Sequence, residues 1–328
     1  MPSPIAVEAR RTHWRGWAIA AYCVAVLIGM DRMGVAFDRE RVIVIIVGGL
    51  FVSNIGRPWG DIGRVLFDWI PFSSVLIAYD LSRGFAHRLG RPIAYTPQID
   101  AEKLVFFGKL PTVILENHFY HHEPQWWDVV FSLIYLSHFI VPFVVAAFLW
   151  RRDWRSWRTY TTRFFALSFT AVVFFATFPT APPWKAALDH RLINIHVVLT
   201  DSLRGLRPLG LTLASELLSK SKANANEYAA IPSLHSAFAL LVAITLWPMV
   251  SRKWRPFLAA YPLAMLTVLV YYAEHYAVDG FAGWALVAVV CLVERRTRAS
   301  RIAGWDRINR RLWPRLTARL RPSVTPLP

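Results

Sequence analysis

The chain has 328 residues, 55% of them hydrophobic, and a mean hydropathy of +0.36. Its apolar residues form long runs, and because a helix needs about 20 mostly apolar residues to cross a bilayer, the composition excludes an ordinary soluble domain. The formal net charge is +16, but the basic residues cluster beside the apolar runs. That distribution is typical of the cytoplasmic loops of a membrane protein and argues against nucleic acid as a partner.

Eight apolar segments predict membrane-spanning helices, so the predicted fold class is an all-α, polytopic membrane helix bundle. Cys23 and Cys291 both fall inside these segments, and neither a disulfide nor a cysteine metal site is predicted. In chain order the segments cover roughly residues 15–32, 41–57, 62–82, 127–150, 160–178, 233–250, 256–274 and 278–294.

Clusters of arginine and lysine orient these helices. Basic residues precede the first segment and follow the second, fourth, sixth and eighth, and all of these positions lie on one side if the eight spans alternate. The positive-inside rule makes that side cytoplasmic, so the long loops 83–126 and 179–232 are predicted to be extracytoplasmic. The tail, residues 295–328, combines arginines with apolar residues at helical spacing, which predicts a basic amphipathic helix on the inner leaflet.

The second long loop leads into Pro232-Ser233-Leu234-His235, at the start of the sixth segment. Proline and serine commonly begin helices, and the free N–H groups of a helix N-terminus favour a bound phosphate. His235, in that first turn, can donate a proton to a leaving oxygen. Taken alone, the motif fits a histidine that caps a helix beside lipid headgroups at least as well.

His275 and Asp279 lie where the seventh and eighth segments meet. Residues four apart share a face of a helix, so Asp279 can accept the Nδ1–H of His275 and leave Nε2 as a nucleophile. An interfacial ion pair explains an isolated His-x-x-x-Asp better. Here, however, His235 is predicted to reach the membrane from the same side, and ionisable groups at membrane depth usually mark function.

At these residues the sequence resembles the type-2 phosphatidic acid phosphatase superfamily. Pro232–His235 is similar to its Pro-Ser-Gly-His signature, and His275 and Asp279 match the end of its third signature. Leu234, in place of the glycine, resembles the branch that contains fungal inositol phosphorylceramide synthases and their bacterial relatives. The resemblance extends from about residue 79 to 285 and includes four further segments: 79–84, 107–111, 179–184 and 274–279.

The resemblance implies a metal-independent phosphoester hydrolase or phosphotransferase that uses no cofactor and acts on a membrane lipid with a phosphate headgroup. It implies that His275 attacks phosphorus to form a phosphohistidine-type intermediate, that Asp279 orients His275, and that His235 protonates the leaving alcohol. Transfer, with inositol phosphate as one candidate group, is favoured; hydrolysis of a polyprenyl phosphate or phosphatidate is the alternative.

The implied location is the cytoplasmic membrane, with an extracytoplasmic active site. Three domains are then predicted: a two-helix membrane segment at 1–60, a phosphatase-like core with six helices at 61–294, and the basic cytoplasmic tail at 295–328.

The cations that bind phosphate in that superfamily have no clear counterpart here. No lysine stands at the required distance before Arg207, and Leu269 replaces the arginine six residues before His275. Basic residues of the outer loops are candidates, although each alone is more simply an exposed loop charge: Arg83, Lys185, Arg191, Arg204, Arg207, Lys220 and Lys222.

Two residues without positive charge are further candidates for contact with substrate. Ser233 belongs to the Pro-Ser-Leu-His motif, and Asp128 stands at the start of the fourth segment. Asp128 suits a helix cap better. His138, ten residues and therefore about 15 Å farther along a helix, is predicted to be packed, without contact to phosphate.

Two other functions stay open from the residues alone. His118, His121 and His122 have the His-x-x-His-His spacing of a membrane di-iron oxidase, but such a centre needs ligands from several boxes and the ten histidines form no second one. A transporter would explain many spans with buried polar residues. It predicts pseudo-symmetric halves, and the sequence shows no internal repeat.

Overall fold

The computed structural model of the protein describes residues 4–33, 39–56, 59–86, 89–192, 204–209 and 226–297. Residues 1–287 form one compact unit and residues 288–328 a second. Of the second unit only the helical residues 288–297 are described, so most of the predicted amphipathic tail lies outside the described residues.

The described ranges are helical and contain no named strand. Short 3-10 turns occur at Arg204–Leu209 and Arg252–Trp254. In chain order the helices are α1 Pro4–Met33, α2 Arg39–Ser53, α3 Trp59–Ala86, α4 Thr96–Val105, α5 Pro111–Phe119, α6 Trp126–Arg152, α7 Trp154–Thr177, α8 Pro183–Leu188, α9 Leu234–Leu246, α10 Arg255–Tyr271 and α11 Ala277–Thr297.

A helix is present at each of the eight predicted positions. Five regions are long and apolar enough to cross a bilayer: Ile62–Tyr79 of α3, α6, α7, Arg252–Tyr271 and α11. The apolar helices at the other three positions are shorter: Trp14–Gly29, Arg41–Ser53 and Leu234–Leu246. The all-α membrane bundle is therefore confirmed, whereas the number of spans stays a prediction.

Helix α9 is surrounded by other helices. It packs against α6, α7 and α10, and its Phe238 stacks on Phe164 of α7 with ring centroids 4.2 Å apart. Leu269 and Tyr271 of α10 pack in one cluster with Tyr135 of α6. These buried aromatic and aliphatic contacts fix α9 relative to its neighbours, since helix association in membranes depends on close van der Waals packing.

The two ends of the bundle differ in charge. The start of α6 and the end of α10 lie together, and Tyr271 Oη donates a hydrogen bond of 3.0 Å to Asp128 Oδ1 there. We call this end of the bundle the site end. Arginine and lysine clusters lie at the opposite, basic end, where α6 ends in Arg151 and Arg152 and the chain enters α10 through 252–255. This separation of charge matches the positive-inside pattern.

Short connections tie the loops together at the site end. Thr180 forms isolated β-bridges with both Ala94 and Ala229, and its Oγ1 accepts from the Ile231 N–H at 3.2 Å. The Trp184 N–H donates to Ala273 O at 3.1 Å. The segments before α4, α8 and α9 therefore meet beside the turn between α10 and α11.

Candidate active site

His235 occupies the first turn of α9. Ser233 is the N-cap residue, and its Oγ accepts from the Ser236 N–H at 3.4 Å. The backbone N–H of Ser233 donates to Asp279 O at 3.0 Å. Gly283 of α11 permits this approach, because a Cβ there would lie 2.4 Å from the Ser233 carbonyl oxygen. The start of α9 is thereby fixed against the start of α11.

His275 lies in a turn and not in a helix. Helix α10 ends at Tyr271, and the chain then passes through Ala273, whose φ of 54° is left-handed. Asp279, in the first turn of α11, accepts from the Tyr276 N–H at 3.0 Å through Oδ2. The same oxygen lies 3.6 Å from His275 Nδ1. The two side chains therefore meet through a capping turn, and not across a helical face as their spacing predicted.

The two histidine rings converge. Their centroids are 5.5 Å apart, with an angle of 58° between the ring planes, although the residues are forty positions apart in the sequence. His275 is 6% exposed and Asp279 is fully buried. Each imidazole needs only about 3 Å between its nitrogen and a reacting atom, so both rings can address one phosphate group.

A third imidazole extends this pair into the bundle. His138 of α6 is buried, and its ring centroid lies 3.9 Å from that of His235. Tyr135 stacks on His235 with centroids 5.6 Å apart, and its hydroxyl donates to Glu274 Oε1 at 3.4 Å. His138 was predicted to be a packed histidine, and the structure packs it directly against His235.

The contact with Asp279 gives the two nitrogens of the His275 ring different roles. Asp279 faces Nδ1, so that a proton held there leaves the lone pair on Nε2. A catalytic hydrogen bond often shortens when substrate binds, and 3.6 Å is close enough for that change. The ring of His235 lies against the rings of Tyr135 and His138. The neighbours described for the two imidazoles thus differ, and an acid and a nucleophile need different environments.

Asp128 and Arg204, both candidates for contact with substrate, pair with each other. Arg204 Nε lies 3.6 Å from Asp128 Oδ2, and the guanidinium is only 2% exposed. Arg204 Nη2 also donates to the backbone oxygens of His121 and, at 3.1 Å, His122. Its guanidinium lies 4.8 Å from the centroid of the Tyr120 ring. These contacts join the turn 204–209 to the start of α6.

Lys185 is held by two carboxylates. Its Nζ lies 3.3 Å from both Asp189 and Glu227. Burial by itself lowers the pKa of Lys185, but the hydrogen bonds to Glu227 and Asp189 leave that pKa above its ordinary value. Burial and Asp189 also raise the pKa of Tyr95 to about 12, so its hydroxyl donates to Asp189 Oδ2 at 2.7 Å. Lys185 is therefore a cation fixed beside the turn that carries His275.

The structure describes the side chains of only some of the other candidate cations. Arg207 and Arg191 are exposed, and Arg191 lies 5.5 Å from the centroid of the Tyr95 ring. Arg83 lies near the end of α3, but its side chain is outside the described residues, as are Lys220 and Lys222. Leu269, at the position of the missing arginine, is completely buried.

Sequence reasoning missed one acidic residue at the site. Glu102 of α4 is completely buried, and its Oε1 and Oε2 accept the N–H groups of Ala277 and Val278, each at 3.1 Å. These are the first N–H groups of α11. Glu102 stands 175 residues before Ala277 in the sequence, so no local spacing pattern could have indicated the contact.

The candidate iron-binding histidines form no metal cluster. Within the part of the chain that the structure describes, no three histidine, cysteine or acidic side chains are arranged to hold an ion. The ring of His121 packs on Trp127 with centroids 5.5 Å apart, while the carbonyl oxygens of His121 and His122 bind Arg204. Their observed contacts are those of a loop that binds an arginine.

Comparison with known proteins identifies the family of this chain. A family model described as the PAP2 superfamily matches residues 107–293. The phosphoinositol dihydroceramide synthase of Bacteroides thetaiotaomicron is 25% identical over 230 residues, which cover 65% of this chain and 71% of that protein. No solved structure matches the chain. Because the family model covers more than half of the 328 residues, this chain belongs to the PAP2 superfamily, as its Pro-Ser-Leu-His and His-x-x-x-Asp motifs predicted.

Proposed function

We propose that this protein transfers a phosphorylated headgroup between membrane lipids, with His275 as nucleophile, Asp279 as its orienting acid and His235 as the proton donor and acceptor. One observation carries the proposal: the imidazoles of His235 and His275 lie 5.5 Å apart, beside the Asp279 carboxylate that lies 3.6 Å from His275 Nδ1. Membership of a family that acts on phosphoesters supports the same chemistry.

The reaction has two balanced steps. In the first, Nε2 of His275 attacks phosphorus and forms a P–N bond, the P–O bond to the departing alcohol breaks, and His235 donates its proton to that oxygen. In the second, the oxygen of an acceptor attacks phosphorus, the P–N bond breaks, and His235 takes the acceptor's proton. Phosphoryl transfer depends mainly on positioning and charge stabilisation, which the buried turn at His275 and the first turn of α9 would supply.

The proposed group is inositol phosphate, and the proposed acceptor is a lipid alcohol of the dihydroceramide type. The name of the similar Bacteroides protein supports this choice. Water as the acceptor would instead make the protein a phosphatase. The basic end of the bundle is proposed to face the cytoplasm, which puts the site end on the extracytoplasmic side.

Proteoliposomes that contain phosphatidylinositol labelled in its inositol ring test the reaction directly. We expect a labelled new lipid only when dihydroceramide is added, and no product with the His275→Ala variant. His122→Ala is the matched control, because it removes an exposed imidazole and keeps the carbonyl oxygen that binds Arg204. Released inositol phosphate without a new lipid would show hydrolysis. Normal turnover by His275→Ala would refute the nucleophile.

A further inference from the structure

Glu102 makes an unusual contact beside the site. A carboxylate from α4, a helix outside the candidate spans, accepts both of the first two N–H groups of α11, with each bond 3.1 Å long. Unpaired N–H groups at a helix start are normally satisfied by a nearby side chain of the same segment. Here the acceptor comes from 175 residues earlier in the chain and lies before the segment 107–293 that the family model matches.

The two N–H groups that Glu102 binds belong to the residues directly before Asp279. The Asp279 carboxylate accepts from the Tyr276 N–H at 3.0 Å and lies 3.6 Å from His275 Nδ1. Its backbone oxygen accepts from Ser233, the N-cap residue of α9. A shift of this turn would therefore move the Asp279 carboxylate, and with it the start of α9, which carries His235.

A buried carboxylate at this place costs stability. Burial, and after it the charge of Asp279, raise the pKa of Glu102 to about 7 in spite of its two hydrogen bonds. A folded-state pKa above the unfolded value means that the folded protein binds the proton more tightly. The contribution of Glu102 to the free energy of unfolding therefore falls as pH rises from about 4.5 to about 7. With a pKa of about 7 the Glu102 carboxyl titrates around neutral pH, and a buried group with so large a pKa shift beside a site is a candidate for a functional role.

We propose that Glu102 is a positioning residue for the His275–Asp279 pair. Its ionised carboxylate holds the first turn of α11, and with it the Asp279 side chain, where Asp279 can orient the His275 ring. When Glu102 is protonated, one of its two oxygens becomes an O–H donor that faces a backbone N–H donor. The turn then loses one of its two hydrogen bonds to Glu102. This inference rests on the proposed role of His275 and Asp279.

The Glu102→Gln variant imitates the protonated form, because one of its terminal atoms is also a donor. We expect kcat to fall about 10- to 100-fold, which is the size of effect that small misplacements of reacting groups produce, while KM changes by less than about twofold. Because the substitution removes a buried charge, the melting temperature should stay within about 5 °C of the wild-type value. Asp100→Asn, at an exposed position of the same helix, is the matched control.

The ratio of wild-type kcat to Glu102→Gln kcat, measured from pH 8 to pH 5.5, distinguishes a positioning role of Glu102 from a purely structural role. Asp279 and Tyr276 are the titratable groups that interact with Glu102, and both are unchanged in the variant, as are the catalytic histidines. We expect the ratio to be large above pH 7 and to approach one at the acid end, because wild-type Glu102 is then protonated. A ratio of one at every pH, or a large ratio that does not change with pH, would overturn the proposal.

A second variant and one parallel measurement complete the test. If Glu102→Gln does not give folded protein, Glu102→Asp keeps the charge and withdraws it by one methylene group. A lower kcat at unchanged KM then supports positioning, and a wild-type kcat overturns it. His275→Ala is assayed beside both variants. If His275→Ala is inactive and Glu102→Gln is fully active, only this inference fails; if His275→Ala is active, the proposed function itself fails.

Discussion

The pairing of Asp128 with Arg204 predicts that their charges stabilise the fold and do not bind substrate. The substitution Asp128→Asn tests this, because the amide keeps an oxygen for the Tyr271 hydroxyl, which lies 3.0 Å from Oδ1. It removes the negative charge and also the acceptor for the Gln125 N–H, which lies 2.8 Å from Oδ2. At the observed 3.6 Å, two unit charges attract by about 4–5 kcal/mol at an effective dielectric constant near 20.

Asp128→Asn should lower the free energy of unfolding mainly because it leaves the charge of Arg204 without its partner. Arg204 is 2% exposed, and without Asp128 its charge would stay buried against backbone oxygens and the Tyr120 ring. Breaking a buried ion pair by removing one partner costs about 3–5 kcal/mol. For a chain of this size we expect a fall in melting temperature on the order of 10 °C, measured on protein purified in detergent.

A double-mutant cycle identifies the source of that loss. Arg204→Met removes the cation and keeps much of its packing, so the combined Asp128→Asn/Arg204→Met protein should be more stable than the sum of the single losses indicates. Activity per folded molecule should stay near the wild-type value in all three variants. If Asp128→Asn melts normally and instead raises KM for the lipid donor, Asp128 contacts substrate and the structural assignment is refuted.

Three further substitutions test other parts of the site end. His138→Phe should keep the packing but lower kcat about tenfold, because it removes the imidazole 3.9 Å from the His235 ring; an unchanged kcat would reduce His138 to a packing residue. Leu269→Arg should lower stability by about 4 kcal/mol or more without raising activity, since Leu269 is fully buried; a faster enzyme would show that phosphate lacks a cation. Gly205→Ala should lower the melting temperature, because a Cβ there would lie 2.0 Å from Asp128 O; normal melting would contradict the close approach.

The helices were predictable from the sequence because a membrane span requires a long apolar run, and such runs are visible directly. The ends of the helices were less accessible. The seventh segment was expected to reach residue 274, yet α10 ends at Tyr271. Its end depends on Ala273 in a left-handed conformation, a position that usually carries glycine. Without a glycine at this position, the residues at the junction did not indicate where α10 ends.

The identity of the candidate catalytic residues could be inferred from two motifs, whereas their surroundings could not. Partner choice among charged side chains is a tertiary property: Arg204 finds Asp128, and Lys185 finds Asp189 and Glu227. Nothing in the local sequence distinguishes these cations from free ones. The contact of Glu102 with the start of α11 is equally non-local, so it appears only when the chain is folded.

The length of α9 explains how His138 comes to lie beside His235. Helix α9 has 13 residues and is about 20 Å long, shorter than the roughly 30 Å of a bilayer's hydrocarbon core. Its first turn touches Tyr135 and His138, which follow Asp128 by seven and ten residues and so lie about 10 and 15 Å farther along α6.

His235 therefore lies beside the part of α6 that follows Asp128 by about two to three turns, and His275 lies against it in a turn to which α4 and α8 are hydrogen-bonded. In the proposed reaction the lipid phosphate has to reach these buried side chains, and the acceptor alcohol has to follow it there. Access of water or of a lipid alcohol to His275 would then decide which of the two completes the reaction. The ratio of transferred to hydrolysed product, measured as the acceptor lipid is increased, reports that access directly.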